Sequence, residues 1–202
     1  MELHHINVKL LVQDPEQVDL EPLAPIFHNW IQRQASDERL LDVADYRHVV
    51  AGPGVILIGL EADYSLDQTD NRIGLRYNRK AVFEGSNQDR LNQAASAALR
   101  ALARLENETS LEGKLRFNGQ DVEISINDRL LAPNSEETRK ELKPDFELFT
   151  SRLFGGAEYS LSYNTDPRRL FTAFLRTSKP MPVTNLLENL SAESPLTGFT
   201  QN

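Results

Sequence analysis

Apolar and polar positions alternate with a period of two in several stretches of this chain, and change to helical spacing in others. Leu3 to Val12 puts His4, Ile6, Val8 and Leu10 on one face and His5, Asn7, Lys9 and Leu11 on the other, which predicts a strand. Asp14-Pro15 through Pro25 reads as a loop. Ile26, Phe27, Trp30 and Ile31 are spaced as one helix face, so Leu23 to Gln34 is expected as a short amphipathic helix anchored by Trp30. Leu41 to Val50 predicts a second strand. The turn Ala51 to Gly54 leads into Val55-Ile56-Leu57-Ile58, whose β-branched composition suits a central strand continuing through Tyr64. A polar turn from Asp67 to Asn71 then reverses the chain into a return strand, Arg72 to Val82. Ser86 opens the clearest helix. Ser86 and Asp89 have capping-box spacing, and Leu91, Ala95, Ala98, Leu102 and Leu105 form a slim apolar stripe.

The second half begins after an acidic linker, Glu106 to Glu112. Asn118-Gly119 between Lys114–Phe117 and Val122–Ile126 predicts a tight hairpin. Ser135 caps a helix to about Phe154. Pro144 inside it predicts a kink or a break, and Gly155-Gly156 ends it. Tyr159 to Tyr163 alternates as a strand. The following segment carries two signals. Asp166-Pro167 with Leu170, Phe171, Phe174 and Leu175 fits a helix start, whereas an internal repeat argues for a strand.

That repeat is a short phrase used twice. Ala62-Asp63-Tyr64-Ser65-Leu66 recurs as Ala157-Glu158-Tyr159-Ser160-Leu161. Each copy is followed by Thr-Asp-x-Arg, at Thr69–Arg72 and at Thr165–Arg168. Internal repeats outrank local signals in fixing a fold, so Arg169 to Ser178 is read as the counterpart of the return strand at Arg72 to Val82. Val183 to Leu190 is expected as a short helix, and residues 191–202 as a disordered tail. The expectation is an α+β fold, a mostly antiparallel sheet with helices packed against it. It is built from two related halves, 1–110 with an extra strand and 111–190, in one compact unit.

Composition narrows the function classes. Across 202 residues the net charge is −8, with 40% apolar and 26% charged residues. An acidic surface repels phosphate backbones and anionic lipid, so neither nucleic acid nor membrane is an expected partner. Arg76, Arg79, Lys80 and the pair Arg168-Arg169 are the candidate local basic patches. The chain has no cysteine, which excludes thiol nucleophiles, zinc–thiolate sites and iron–sulfur clusters. Met1 to Val12 lacks the basic start and long apolar run of a signal peptide, so a cytoplasmic location is expected.

Candidate chemistry gathers in one stretch: Asp42, Asp45, Tyr46 and His48, followed by Glu61, Asp63 and Tyr64. If the two segments are neighbouring strands, His48 comes near Glu61 or Asp63. A carboxylate beside an imidazole can act as an acid/base pair or as a hard metal site. His48, Asp45, Glu61 and Asp63 are therefore the candidate catalytic residues, set against the plainer reading of an exposed sheet face. No cofactor is indicated. Gly52-Pro53-Gly54 and Gly155-Gly156 fit no phosphate-binding fingerprint. Tyr46, Tyr64, Tyr77, Tyr159 and Tyr163 fall on expected strands, where they either form a contact surface or line the core.

The run Asp42 to Val49, with Gly52–Val55 and Tyr77-Asn78-Arg79-Lys80, resembles a group of uncharacterised bacterial proteins. The resemblance covers most of the chain and implies a bacterial, soluble, cytoplasmic origin. It brings no activity or ligand. The leading expectation is a non-enzymatic binding or assembly protein with a protein partner, in particular a homodimer. The alternative is a small-molecule or divalent-metal-dependent enzyme with an Asp/Glu/His site.

Overall fold

The computed structural model describes residues 1–192, so most of the expected tail lies outside the described residues. Eight strands form one antiparallel sheet: β1 (Ile6–Val12), β2 (Leu40–Tyr46), β3 (Gly54–Gly59), β4 (Ala62–Asp67), β5 (Gly74–Arg79), β6 (Phe117–Ile126), β7 (Tyr159–Tyr163) and β8 (Phe171–Thr177). Their order across the sheet is β2-β3-β4-β5-β1-β6-β8-β7. Four helices pack on one face: α1 (Leu23–Gln32), α2 (Asn87–Glu106), α3 (Glu136–Leu153) and α4 (Val183–Ser191). α1 lies on β2 and β3, α2 on β1 and β5, α3 on β7 and α4 on β6. The architecture is α+β, as expected.

Alternation decides which face of each strand meets the helices. In β1, Ile6, Val8, Leu10 and Val12 join the core, while Asn7 and Lys9 point to the helix-free face. Tyr64 and Tyr77 are core residues, Tyr159 and Tyr163 are half-buried, and Tyr46 is exposed. Segment 169–178, where a helix start competed with the repeat, is strand β8. It is held on both sides, by β6 and by β7. Asp166-Pro167 makes only a turn, in which the Arg169 N–H donates to the Asp166 carbonyl oxygen. Two long-range ladders outweigh a local helical preference.

Three expectations are corrected. The Asn118-Gly119 hairpin is absent: both residues lie within β6, at an irregularity where its register with β1 shifts between the Leu10–Val122 and Val12–Phe117 pairs. Gly119 is there for close approach: a Cβ would run into the carbonyl oxygen of Met181. The single strand expected over Val55–Tyr64 turns at Leu60-Glu61 and becomes β3 and β4. A Cβ on Gly59 would meet the Ala62 carbonyl oxygen, and the Gly59 N–H donates to Asp63 at 3.2 Å. Of the kink or break expected at Pro144, the break is absent: α3 continues through the proline, with Leu142, Phe146 and Phe149 tying both sides of it to one core.

The pairing registers on the two sides of β1 and β6 match. Ser65 pairs with Arg76 and Leu66 with Leu75 in one, and Ser160 with Arg176 and Leu161 with Leu175 in the other. Leu75 then pairs with Leu10, Leu175 pairs with Val122, and Leu10 pairs with Val122. On the helix-free face the β4–β5 loop covers Lys9, whose ammonium donates to Asp67 at 2.6 Å and approaches the Thr69 carbonyl oxygen at 3.5 Å. Arg169 from the β7–β8 loop reaches Asp70 at 3.0 Å, so the two Thr-Asp-x-Arg loops meet over this face.

The capping box at α2 is present. The Ser86 hydroxyl oxygen accepts the Asp89 N–H at 3.2 Å, and Asp89 accepts the Ser86 N–H at 2.8 Å. Ser86→Ala is expected to lower stability by about 1 kcal/mol in chemical denaturation. A loss below a few tenths would mean that core packing alone sets this terminus.

Candidate functional site

α1 sits on the β2–β3 hairpin, and α2 sits nearer the sheet centre. The gap between them is a cleft of ≈ 910 Å³ floored by Leu57 and Tyr64. One wall carries Trp30 and Arg33 from α1 and the loop that follows it. The other carries Gln93, Ala97, Arg100, Ala101 and Arg104 from α2. These α2 residues fall on one helix face by their spacing, and the two alanines leave room for the cleft. The volume suits a small molecule.

Glu38, on the loop after α1, organises the floor. Its carboxylate accepts hydrogen bonds from the Tyr64 hydroxyl at 2.7 Å and the Tyr77 hydroxyl at 2.6 Å. It also accepts from Arg79 at 2.9 Å and from Gln93 Nε2 at 3.2 Å. Glu38 and Arg79 side chains are 10% and 12% exposed, so this charge pair is largely withdrawn from water. Burial, reinforced by the Glu38 carboxylate, pushes both tyrosine hydroxyls well above their ordinary range. They act as fixed hydrogen-bond donors at neutral pH.

The remaining acids of the cleft are also engaged. Trp30 Nε1 donates to Glu108 at 2.7 Å, the Arg39 N–H donates to Glu61 at 3.0 Å, and Asp37 lies 3.7 Å from Arg100. Arg104 stacks on the Trp30 ring, 5.3 Å from its centroid, and Arg79 lies 5.6 Å from the Phe83 centroid. No ion pair reaches Arg33 or Arg104 among the described residues. The cleft thus has a hydrogen-bonded acid, Glu38, on its floor and, at its rim, two guanidinium groups without a carboxylate partner among the described residues.

No known protein family, curated protein or solved structure matches this chain. The chemistry therefore rests on the geometry alone. Among the described residues, no helix is long and apolar enough to cross a membrane, and no group of three or more His, Asp or Glu is placed to hold a metal ion.

The four residues singled out from sequence fall at two separate places. Asp45 is the next-to-last residue of β2 and His48 lies in the β2–β3 turn, beside Glu21 and Arg47. Glu61 lies in the β3–β4 turn, at the far end of β3, with Asp63 just beyond it. The six residues of β3 put roughly 20 Å between the two groups. Asp45 is taken up by Arg47, whose guanidinium binds it at 2.7 Å and holds its carboxyl down at about 2. His48 stacks near Tyr46, with ring centroids 6.3 Å apart. Asp63 pairs with Lys80 at 2.7 Å. Of the four, only Glu61 borders the cleft. The expected basic patches are likewise paired: Arg76 with Asp67, Arg79 with Glu38, Arg168 with Asp166 and Arg169 with Asp70.

Glu38 and Gln93 were not legible from sequence. Ser36-Asp37-Glu38-Arg39 reads as an ordinary solvated loop. The available signal was indirect: Tyr64 and Tyr77 share the core face of their strands, and a buried tyrosine hydroxyl needs an acceptor.

Proposed function

We propose that this protein binds a small molecule in the α1–α2 cleft, one carrying a carboxylate or phosphate on a flat apolar body. The observation that carries this reading is the pair of guanidinium groups, Arg33 and Arg104, that have no ion pair among the described residues, at the rim of a cleft whose acids each have a donor or a cation beside them. In a chain of net charge −8, such a cationic rim favours an anion. The exposed Phe83 offers aromatic surface for the apolar part, beside the Trp30–Arg104 stack. The site reads as binding rather than catalytic. Its tyrosines hold their protons, and Glu38 is occupied by four donors.

We infer further that the chain is a duplicated β-α-β-β-α unit. Matching registers around the Leu10·Val122 pair support this, together with the repeated Ala-x-Tyr-Ser-Leu phrase on β4 and β7. On this view the β2–β3 hairpin is the insertion. It draws α1 outward, whereas its counterpart α3 stays on β7, and the displacement opens the cleft. The protein is proposed to act as a homodimer in a bacterial cytoplasm.

Trp30 is the single tryptophan of the chain, so its emission reports on the cleft. Titration with 4-nitrobenzoate and with 4-nitrophenyl phosphate is expected to quench it saturably, and the tighter probe identifies the anion. The neutral 4-nitrobenzyl alcohol should quench only by collision. Arg104→Gln should weaken the anionic probes about tenfold, the cost of one charge-assisted hydrogen bond. Linear, equal quenching by all three compounds would sink the reading.

A further inference from the structure

The two edges of the sheet are built differently. β2 carries the exposed Asp42 and Asp45, and its register shifts between Leu40 and Asp42. Charges and irregularities of this kind discourage pairing with another strand. β7 has neither. Tyr159-Ser160-Leu161-Ser162-Tyr163 contains no charge and no proline, and its ladder with β8 is regular.

The sequence of β7 is a palindrome centred on Leu161. An antiparallel pair made from two copies places Leu161 opposite Leu161, Ser160 opposite Ser162 and Tyr159 opposite Tyr163, so every position meets its match under one two-fold axis. The backbone has the right phase for this arrangement. The Asn164 N–H donates inward to the Thr172 carbonyl oxygen, and the Glu158 carbonyl oxygen accepts inward from the Ser178 N–H. Alternation along an antiparallel strand then turns the N–H and C=O groups of Tyr159, Leu161 and Tyr163 outward. The centre of the palindrome is therefore an outward-facing residue, and pairing about it forms about six new backbone hydrogen bonds, two for each of three pairs.

The side chains agree with the backbone. Tyr159, Leu161 and Tyr163 lie half-buried on the helix-covered face, while Ser160 and Ser162 are exposed on the other. Pairing would extend the apolar layer from one copy to the next and line up small hydroxyls on the opposite face.

We propose that β7 is a homodimer interface, through which two copies of this chain join their sheets edge to edge across Leu161. The inference rests on the homodimer reading and gives it a surface. It leaves the α1–α2 clefts at the outer ends of a continuous sheet, open in both copies.

The test uses the full chain. Light scattering with micromolar protein should give twice the mass of one chain. Leu161→Lys sets two ammonium groups opposite each other at the axis and should give a folded monomer. Leu161→Cys introduces the only thiol in the chain. Hydrogen-bonded partners lie ~5.5 Å apart between Cα atoms, within disulfide reach, so mild oxidation should yield a covalent dimer through that residue. A wild-type dimer that survives Leu161→Lys and does not cross-link through Leu161→Cys would overturn the interface while leaving the homodimer intact. A wild-type monomer, whether its edge stays bare or is capped by the chain's own residues 193–202, would overturn both.

Discussion

Asp67→Ala is expected to destabilise the fold by about 3–5 kcal/mol, among the largest effects of any single polar substitution in this chain. The Asp67 carboxylate accepts from the Lys9 ammonium at 2.6 Å, from the Thr69 hydroxyl at 2.8 Å and from the Thr69 N–H at 3.2 Å, and Arg76 lies 3.3 Å away. The side chains of Lys9 and Asp67 are 4% and 2% exposed. Alanine leaves a buried ammonium without its counter-charge. Burial already pulls the Lys9 ammonium below its ordinary range, against the opposing pull of Asp67. Replacing both partners, as Lys9→Met with Asp67→Leu, removes both desolvation costs and should recover most of the loss. Guanidinium denaturation of wild type, Lys9→Met, Asp67→Leu and the double variant measures the coupling. If Asp67→Ala alone stays within about 1 kcal/mol of wild type, water rather than the β4–β5 loop covers the pair.

Glu38→Ala is the second large effect, about 3 kcal/mol, accompanied by loss of saturable quenching of Trp30. Four donors converge on this carboxylate, and without it the hydroxyls of Tyr64 and Tyr77 lose their charged acceptor and the guanidinium of Arg79 its counter-charge. Glu38→Gln keeps one acceptor oxygen and should lose less. The two tyrosines also set a pH dependence. Their hydroxyls are raised above the unfolded value of about 10, so the folded state binds more protons than the unfolded state once the pH exceeds that value. Their contribution is intact below about pH 10 and declines as the pH rises further. Ultraviolet titration should show Tyr64 and Tyr77 ionising only as the protein unfolds. Ionisation of Tyr64 and Tyr77 while the protein is still folded would contradict the buried hub.

Much of the scaffold was legible because it depends on short-range patterns. The period-two runs mark β1, β5 and β7, and the capping box marks α2. The repeat correctly favoured a strand at 169–178 over a local helix start. Where reading failed, the cause was a partner distant in sequence. Gly119 looks like a turn residue until the chain at Met181 passes against it. His48 and Glu61 look adjacent until the Leu60-Glu61 turn places β3 between them.

The candidate site depends still more on long-range placement. Trp30, Glu38, Tyr64, Arg79 and Gln93 come from α1, a loop, β4, β5 and α2, and no spacing along the chain connects them. Only the packing of α1 on the β2–β3 hairpin brings them to one cleft.

The amino-acid sequence by itself determined the strands, the helices and their caps, the acidic balance and the absence of thiol chemistry, because each follows from neighbouring residues or from a count. It also contained the Tyr-Ser-Leu-Ser-Tyr palindrome, though nothing in it revealed that this segment is an edge. Tertiary structure alone decided which strands end the sheet, which charges are buried in pairs and which guanidinium groups have no ion pair among the described residues. Those properties depend on what lies beside a residue in space, and hydrogen bonding and desolvation act across that space irrespective of distance along the chain.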